Sequence, residues 1–402
     1  MGDPKMNFEN LLAPRTGNIK ASAIRELLSV AKRPGMISLG GGYPAPESFP
    51  VDILNELTAK VLDKYGSKAL QYDATEGFMP LREALTIYLQ KKNIRVSAEN
   101  ILITSGSQGF LDAIGKVLIS KGDRVAVEAP TYLGALQAFN AYEAEYIRMD
   151  TDGKGLIPES LEETLQSGNI KFIYLVPTFQ NPTGKTIPME RREKIAEIIR
   201  THDALLVEDD PYGDLRFRGT PVPPIKTLAP ENVIYTSTLS KVFAPGLRIG
   251  FFIAPEDIVK WMVRVKQGVD LHTSTFNQAL AAEYLSAGYL DKQMPKIINI
   301  YQPRQKVMLH ALDKYFPDSF NWSKPDGGMF IWAEGPEGVD MEDIFFKAVE
   351  RNVVYVPGKF FFTKKGEGIE TLRLNYSNAD EEKIEKAIKI LSEVIKGEIR
   401  RS

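Results

Sequence analysis

Tyr235-Thr-Ser-Thr-Leu-Ser-Lys241-Val-Phe-Ala-Pro-Gly-Leu-Arg248-Ile-Gly250 decides how the rest of the chain is read. The apolar run Val233-Ile234-Tyr235 enters a hydroxyl-rich turn that presents one lysine, and Pro245-Gly246 then reverses the chain. Arg248 opens a second apolar run, Ile249 to Ala254. A lysine among hydroxyls, seven residues before an arginine, suits a covalent site for an anionic cofactor. Lysine amines form Schiff bases with carbonyls, and nearby cations or desolvation keep part of the amine neutral and nucleophilic. An arginine can hold a phosphate as a bidentate fork. Read alone, the stretch is equally a strand, a loop and a second strand with a solvated lysine.

Outward from this stretch, apolar runs alternate with helical ones. Strands are expected at Ile101–Thr104, Arg124–Glu128, Phe172–Val176, Leu205–Glu208, Val233–Thr236 and Ile249–Ala254. Helical spacing separates many of them, at Phe110–Ser120, Leu133–Ala141 and Arg191–Arg200. Continuously apolar strands between helices predict an α/β fold with a mostly parallel sheet covered on both faces. Ligands on such sheets sit outside the carboxyl ends of the strands. Polar motifs fall there. Ser105-Gly-Ser107-Gln108-Gly follows one strand and opens a helix, whose free N–H groups favour a phosphate. Gln180-Asn181-Pro-Thr-Gly follows another, Glu208-Asp209-Asp-Pro-Tyr212 the next, and the lysine turn the one after. Each alone is ordinary turn chemistry. Together they predict a site.

Upstream, residues 1–20 read as a polar arm, and Ala21 to Leu28 has helical spacing with Ser22 as N-cap. A short strand, Met36–Leu39, leads into Gly40-Gly41-Gly42-Tyr43, where backbone can approach a ligand. Helices are expected at Val51–Lys64, Leu81–Lys91, Trp261–Val269, Ala279–Leu285, Ile297–Tyr315 and Asp380–Lys396. The last ~85 residues change character, with strands at Trp322–Lys324, Gly328–Trp332, Val353–Val356 and Leu372–Tyr376 among helices, a smaller α+β domain.

Composition excludes several classes. The 402 residues suffice for two domains. A net charge of -2 gives no reason to expect nucleic acid or an anionic membrane as partner. Zero cysteines remove disulfides, thiolate catalysis and Cys-ligated metals, and with three scattered histidines no His-based metal site or triad is expected. Met1 to Asn10 lacks an apolar signal segment, and no apolar run reaches ~18 residues, so a soluble cytoplasmic protein is expected. Absent cysteine with abundant Lys, Glu and Ile hints at a thermophilic source.

In order, Gln-Asn-Pro-Thr-Gly, Glu-Asp-Asp-Pro-Tyr, Ser-Lys-x3-Pro-Gly-x-Arg-x-Gly and Thr-Leu-Arg-Leu-Asn-Tyr make the chain resemble a known family. It is similar to the fold-type I, pyridoxal-phosphate-dependent aminotransferases of class I, from roughly Arg15 to Ile395. It looks most like the branch acting on 2-aminoadipate, kynurenine and aromatic amino acids. The resemblance implies a large domain with a mostly parallel, seven-stranded sheet over residues 49–290. It also implies a smaller α+β domain over 291–402, against which an arm and helix in 1–48 pack.

The resemblance makes Lys241 the lysine that takes the carbonyl of pyridoxal 5′-phosphate and later shuttles a proton. Asp209 would pair with the ring nitrogen and keep the ring an electron sink. Tyr212 and Asn181 would hydrogen-bond its phenolic oxygen, and Tyr132 would stack on its face. Ser107, Gln108, Thr238, Ser240 and Arg248 would hold the phosphate. Thr238 stands where family members often have serine; both carry the hydroxyl.

For the substrate, the resemblance assigns Arg373 to the α-carboxylate, with the Asn181 amide and Gly42 backbone. Tyr72 would reach the phosphate of a neighbouring subunit, which implies a homodimer with shared sites. Arg25 would meet the distal carboxylate of acidic donors or swing away for apolar ones. Tyr43 stands where the branch commonly has aliphatic residues, and stacking there would favour aromatic side chains. The reaction implied is ping-pong transamination from an amino acid to 2-oxoglutarate, with no metal. The donor stays open among aromatic amino acids, kynurenine, 2-aminoadipate, leucine and glutamate. Two alternatives share the cofactor. One is a C–S β-lyase; the other is a regulator fused to a winged helix, for which the short segment before Ser22 leaves no room.

Overall fold

Six consecutive residues, Val233–Thr238, are buried at every position, as a strand covered on both faces requires. In the computed structural model, which describes residues 8–19 and 30–400, this strand lies inside a seven-stranded sheet. Its members are β1 (Ile101–Ser105), β2 (Arg124–Glu128), β3 (Glu145–Met149), β4 (Ile170–Leu175), β5 (Leu206–Asp209), β6 (Val233–Thr238) and β7 (Ile249–Ile253). The order across the sheet is β1-β7-β6-β5-β4-β2-β3. Neighbours from β6 through β3 run parallel, as helical crossovers demand. β7 alone is reversed, antiparallel to both β6 and β1. The lysine turn therefore closes an antiparallel hairpin, since Pro245 and Gly246 return the chain directly with no crossover helix. Helix Gly106–Leu118 packs on β7, flanked by helices Leu133–Asn140 and Glu256–Gln267.

A second sheet contains β8 (Asn321–Trp322), β9 (Phe330–Glu334), β10 (Val356–Pro357) and β11 (Thr371–Asn375) in the order β8-β9-β11-β10, all antiparallel. Helix Glu381–Ile399 packs on helix Tyr289–Tyr315 beside it. One apolar cluster joins the two sheets, from Phe110 and Phe252 to Ile331, Leu374 and Leu391. Among the described residues no helix is long and apolar enough to cross a membrane.

Three departures from the sequence reading have physical causes. β3 was not expected, because Glu145-Tyr-Ile-Arg148-Met mixes charge into the run; it is the edge strand, where charge blunts unpaired backbone. The run Val353–Val356 is two strands, Val353–Val354 pairing in parallel with Ile37–Ser38 and β10 joining the second sheet. Helix Tyr289–Tyr315 starts eight residues before the expected Ile297 and continues through Pro295 and Pro303. Burial of Leu290, Ile297, Tyr301, Met308 and Leu312 along it outweighs the cost of each proline, about 3 kcal/mol. The helix expected at Ala21–Leu28, with Arg25, lies outside the described residues.

Candidate active site

The reversal of β7 assembles the site. β4, β5 and β6 end at one edge of the sheet, and the start of β7 meets them there, with Gly250 opposite Thr238 and Ile249 opposite Ser105. Arg248 thus reaches the strand ends from the far side of the hairpin. These ends open on a cavity of about 250 Å³. Asn181, Asp209, Tyr212 and Lys241 line it from β4, β5 and β6. Ser107, Gln108, Thr238, Ser240 and Arg248 line its anion side. Tyr132 and Gly42 complete it, with Tyr43 at the mouth.

Lys241 Nζ donates to Gly42 O at 3.1 Å. Burial, followed by the cations Arg248 and Arg373, brings its amine down to about 8. A substantial neutral fraction therefore exists near neutrality, which a carbonyl-attacking amine needs. Arg248 adopts a left-handed backbone, φ 54°, and its Nη2 donates to Ser105 O at 3.2 Å. Its guanidinium lies over Gly106, where a Cβ would stand 2.3 Å from Nη2; only glycine permits the approach. Thr238 Oγ1 accepts from Ser240 N, donates to Ile249 O and lies 2.9 Å from Ser240 Oγ. Thr238 is thus committed within the turn, while Ser240 faces the cavity beside it. Gln108 Nε2 donates to Gly134 O.

Asp209 is buried, and its Oδ2 accepts from Tyr174 Oη at 2.8 Å. Its Oδ1 has no partner. Burial lifts this carboxyl to about 7; the Tyr174 bond pulls it down and Asp210 pushes it up. Asn181 joins two neighbours: Nδ2 donates to Tyr212 Oη at 3.3 Å and Oδ1 accepts from Arg373 Nη1 at 2.7 Å. Arg373 Nη2 donates to Gly40 O at 2.6 Å, and its buried Nε is unpartnered. The guanidinium lies 4.4 Å from the Phe330 ring and 5.0 Å from that of Phe361. Burial lowers Arg373 to about 10, leaving it a cation at neutral pH.

Two assigned residues stand apart. Tyr72 is 77% exposed, edge-on to His272 at 5.6 Å, and lines none of the cavity. Arg25 lies outside the described residues. Sequence reading missed Tyr174, Phe330 and Phe361, and singled out the Gly40-Gly41-Gly42 backbone without pairing Gly40 with Arg373. Tyr174 had one signal, a hydroxyl within the otherwise apolar run Phe172–Val176. The phenylalanines had none, because Phe330 reaches Arg373 through the pairing of β9 with β11, and Phe361 through the 3-10 turn Gly358–Phe361 that follows β10.

The residues fit pyridoxal 5′-phosphate. An orphan carboxylate oxygen on Asp209 awaits a cationic N–H, and the start of helix Gly106–Leu118 with Arg248 makes an anion cradle. Between them stands an amine tuned toward neutrality. Among the described residues no group of His, Asp or Glu could hold a metal ion.

Comparison with known proteins agrees. The model of the family "Aminotransferase class I and II" matches residues 36–391. The aromatic-amino-acid aminotransferase 1 of Thermococcus litoralis is 46% identical, over 99% of this chain and 97% of its own. The crystal structure of Pyrococcus horikoshii kynurenine aminotransferase, in complex with PMP, KYN and KYA, superposes with a TM-score of 0.94 at 44% identity, covering 98% of each chain. That of the alpha-aminoadipate aminotransferase of Thermus thermophilus, complexed with N-(5'-phosphopyridoxyl)-L-leucine, has a TM-score of 0.92 at 38% identity over 99% of this chain and 100% of the other. The chain belongs to the class I and II aminotransferases, in the branch that contains these enzymes. It is a transaminase that uses pyridoxal 5′-phosphate.

Proposed function

We propose that this transaminase takes an amino group from aromatic, kynurenine-like or 2-aminoadipate-like donors and passes it to 2-oxoglutarate by a ping-pong sequence. The observation that supports it is the convergence of the Lys241 amine and the orphan Asp209 oxygen on one cavity, whose lining residue Asn181 holds the buried Arg373 guanidinium. The similar aromatic-amino-acid, kynurenine and alpha-aminoadipate aminotransferases suggest the donor classes.

When bound, pyridoxal 5′-phosphate supplies a carbonyl for the amino group and a ring that withdraws electrons from Cα. The chain does the rest. Arg373 receives the donor's carboxylate, its unpartnered Nε and two cation–π faces fixing the fork. Lys241 Nζ, once neutral, takes the Cα proton and returns it, a base contribution of typically ~10²–10⁴. Asp209 would hold the positive charge at the ring nitrogen, and Tyr212 with Asn181 would hold the ring oxygen. Ser107, Ser240 and Arg248 would hold the phosphate. Residues 49–290 form the cofactor-binding unit and 291–402 the smaller unit that carries Arg373. The molecule works as a homodimer in which Tyr72 serves the partner's site.

The experiment is a two-stage assay. Purified protein should carry a visible cofactor band that glutamate removes and 2-oxoglutarate restores. Lys241→Ala must lose this exchange by at least ~100-fold. Continuous product from a donor alone, without an oxo acid, would sink the reading in favour of a lyase.

A further inference from the structure

Asp209 ends β5, and Tyr212 sits on the turn 210–214 that follows; on the cavity side Asn181 Nδ2 donates to Tyr212 Oη. The turn is also held from behind. Asp210 Oδ1 accepts from Gly213 N at 3.0 Å, closing the turn on itself. A Cβ at Gly213 would lie 2.5 Å from that oxygen, so the closure is tight. Asp210 Oδ2 accepts from Tyr235 Oη at 2.7 Å, and Ser237 Oγ donates to Asp210 O at 2.7 Å. At the other end of the turn, Asp214 accepts from Tyr88 Oη.

Between the two carboxylates stands one cation. Lys92, just after helix Met79–Gln90, places Nζ 3.4 Å from Asp210 Oδ2 and 3.0 Å from Asp214 Oδ1. It also lies 5.4 Å from the centre of the Tyr88 ring. Its side chain is 13% exposed. Burial alone would pull its amine down, but Asp210 and Asp214 outweigh burial and hold it well above the ordinary range, charged at every working pH. An ion in this setting is costly to leave unpaired, so removing one partner disturbs the others. The cluster touches no part of the cavity. Asp210 directly follows Asp209, and Asp210 and Asp214 flank Pro211, Tyr212 and Gly213.

We propose that Lys92, bridging Asp210 and Asp214, is a positioning residue that fixes Asp209 and Tyr212 against the cofactor ring. This rests on the roles proposed above for Asp209 and Tyr212. Arg373 and Asn181 are supplied by other segments, and Arg373 is linked to Tyr212 through Asn181, so the carboxylate clamp feels the bridge at one remove. Positioning shells of this kind set the precision of the groups that touch the ligand.

The test compares holoenzyme of Lys92→Met, Lys92→Arg and Asp209→Asn with the parent. Two quantities are read: loss of the visible cofactor band on dialysis, and kcat separately from the KM of the donor. Lys92→Met should release cofactor and lower kcat by about tenfold each, with donor KM within about twofold. Lys92→Arg, which can fork both carboxylates, should recover both to within about threefold. Should Lys92→Met fail to fold, Tyr88→Phe removes only the hydroxyl on Asp214 and is read the same way, with smaller losses. Unchanged cofactor release, or kcat and KM worsening in proportion, overturns the inference. If Asp209→Asn itself retains cofactor and kcat, the reading of Asp209 fails instead.

Discussion

At neutral pH most of the Lys241 side chains carry a proton that their surroundings resist. The amine titrates near 8 in the folded chain against an ordinary 10.5, because burial and two arginines disfavour its charge. Between those values the unfolded chain binds more protons, so stability rises with pH across that window, and below pH 8 the full penalty is present. A difference of this size corresponds to at most ~3 kcal/mol. In protein freed of cofactor, Lys241→Met should therefore raise stability at pH 7 by about 1–3 kcal/mol, with the gain shrinking toward pH 10.5. Denaturant melts of both proteins across that range check it; a variant no more stable than the parent at pH 7 refutes it. Lys241 and Asp209 were legible because short contiguous motifs surround them. Tyr174, which holds Asp209, was half-legible as a hydroxyl in an apolar run. Phe330 and Phe361 were not, since nothing local marks a ring that will lie under an arginine from another strand.

Strands and helices explain why those side chains meet. Parallel runs were readable from apolar continuity, and the reversal into β7 was signalled by Pro245-Gly246 and not by any periodicity. That hairpin is packed onto the helix bearing Ser107 through Gly250. A Cβ there would stand 2.4 Å from the Gly106 carbonyl carbon and 2.6 Å from Ser107 N. Gly250→Ala should push the helix start away from Arg248. Overpacking of this kind costs typically ~1–3 kcal/mol. A lower melting temperature together with faster cofactor loss is expected, and a variant that melts earlier while keeping its cofactor would count against the cradle. The edge strand β3 escaped notice for the opposite reason: its charges obey the rule for edges and not the rule for cores.

For the molecule as a whole, the mostly parallel sheet and the smaller α+β region were legible while the strand order was not, and the extension of the long helix back through Pro295 was the main surprise, decided by burial along its length. Tyr72 poses the remaining question of scale. It is exposed on the single chain, beside exposed Leu70 and Leu271. Shared sites predict a particle of twice the 44.9 kDa chain mass. Light scattering on a sizing column reads this directly, and a particle of one chain mass that retains full turnover would exclude a role for Tyr72 across subunits.

One buried atom has a consequence for what the enzyme declines. Arg373 Nε lies in the interior without an acceptor, while its Nη atoms are taken by Asn181 and Gly40. In the role proposed for Arg373, an amino acid brings the missing acceptor and an amine with the same side chain does not. Sites built around such a hydrogen bond reject analogues lacking the partner by about 10⁴–10⁵-fold. Decarboxylated amines are thereby filtered out by what they lack, however well their side chains fit.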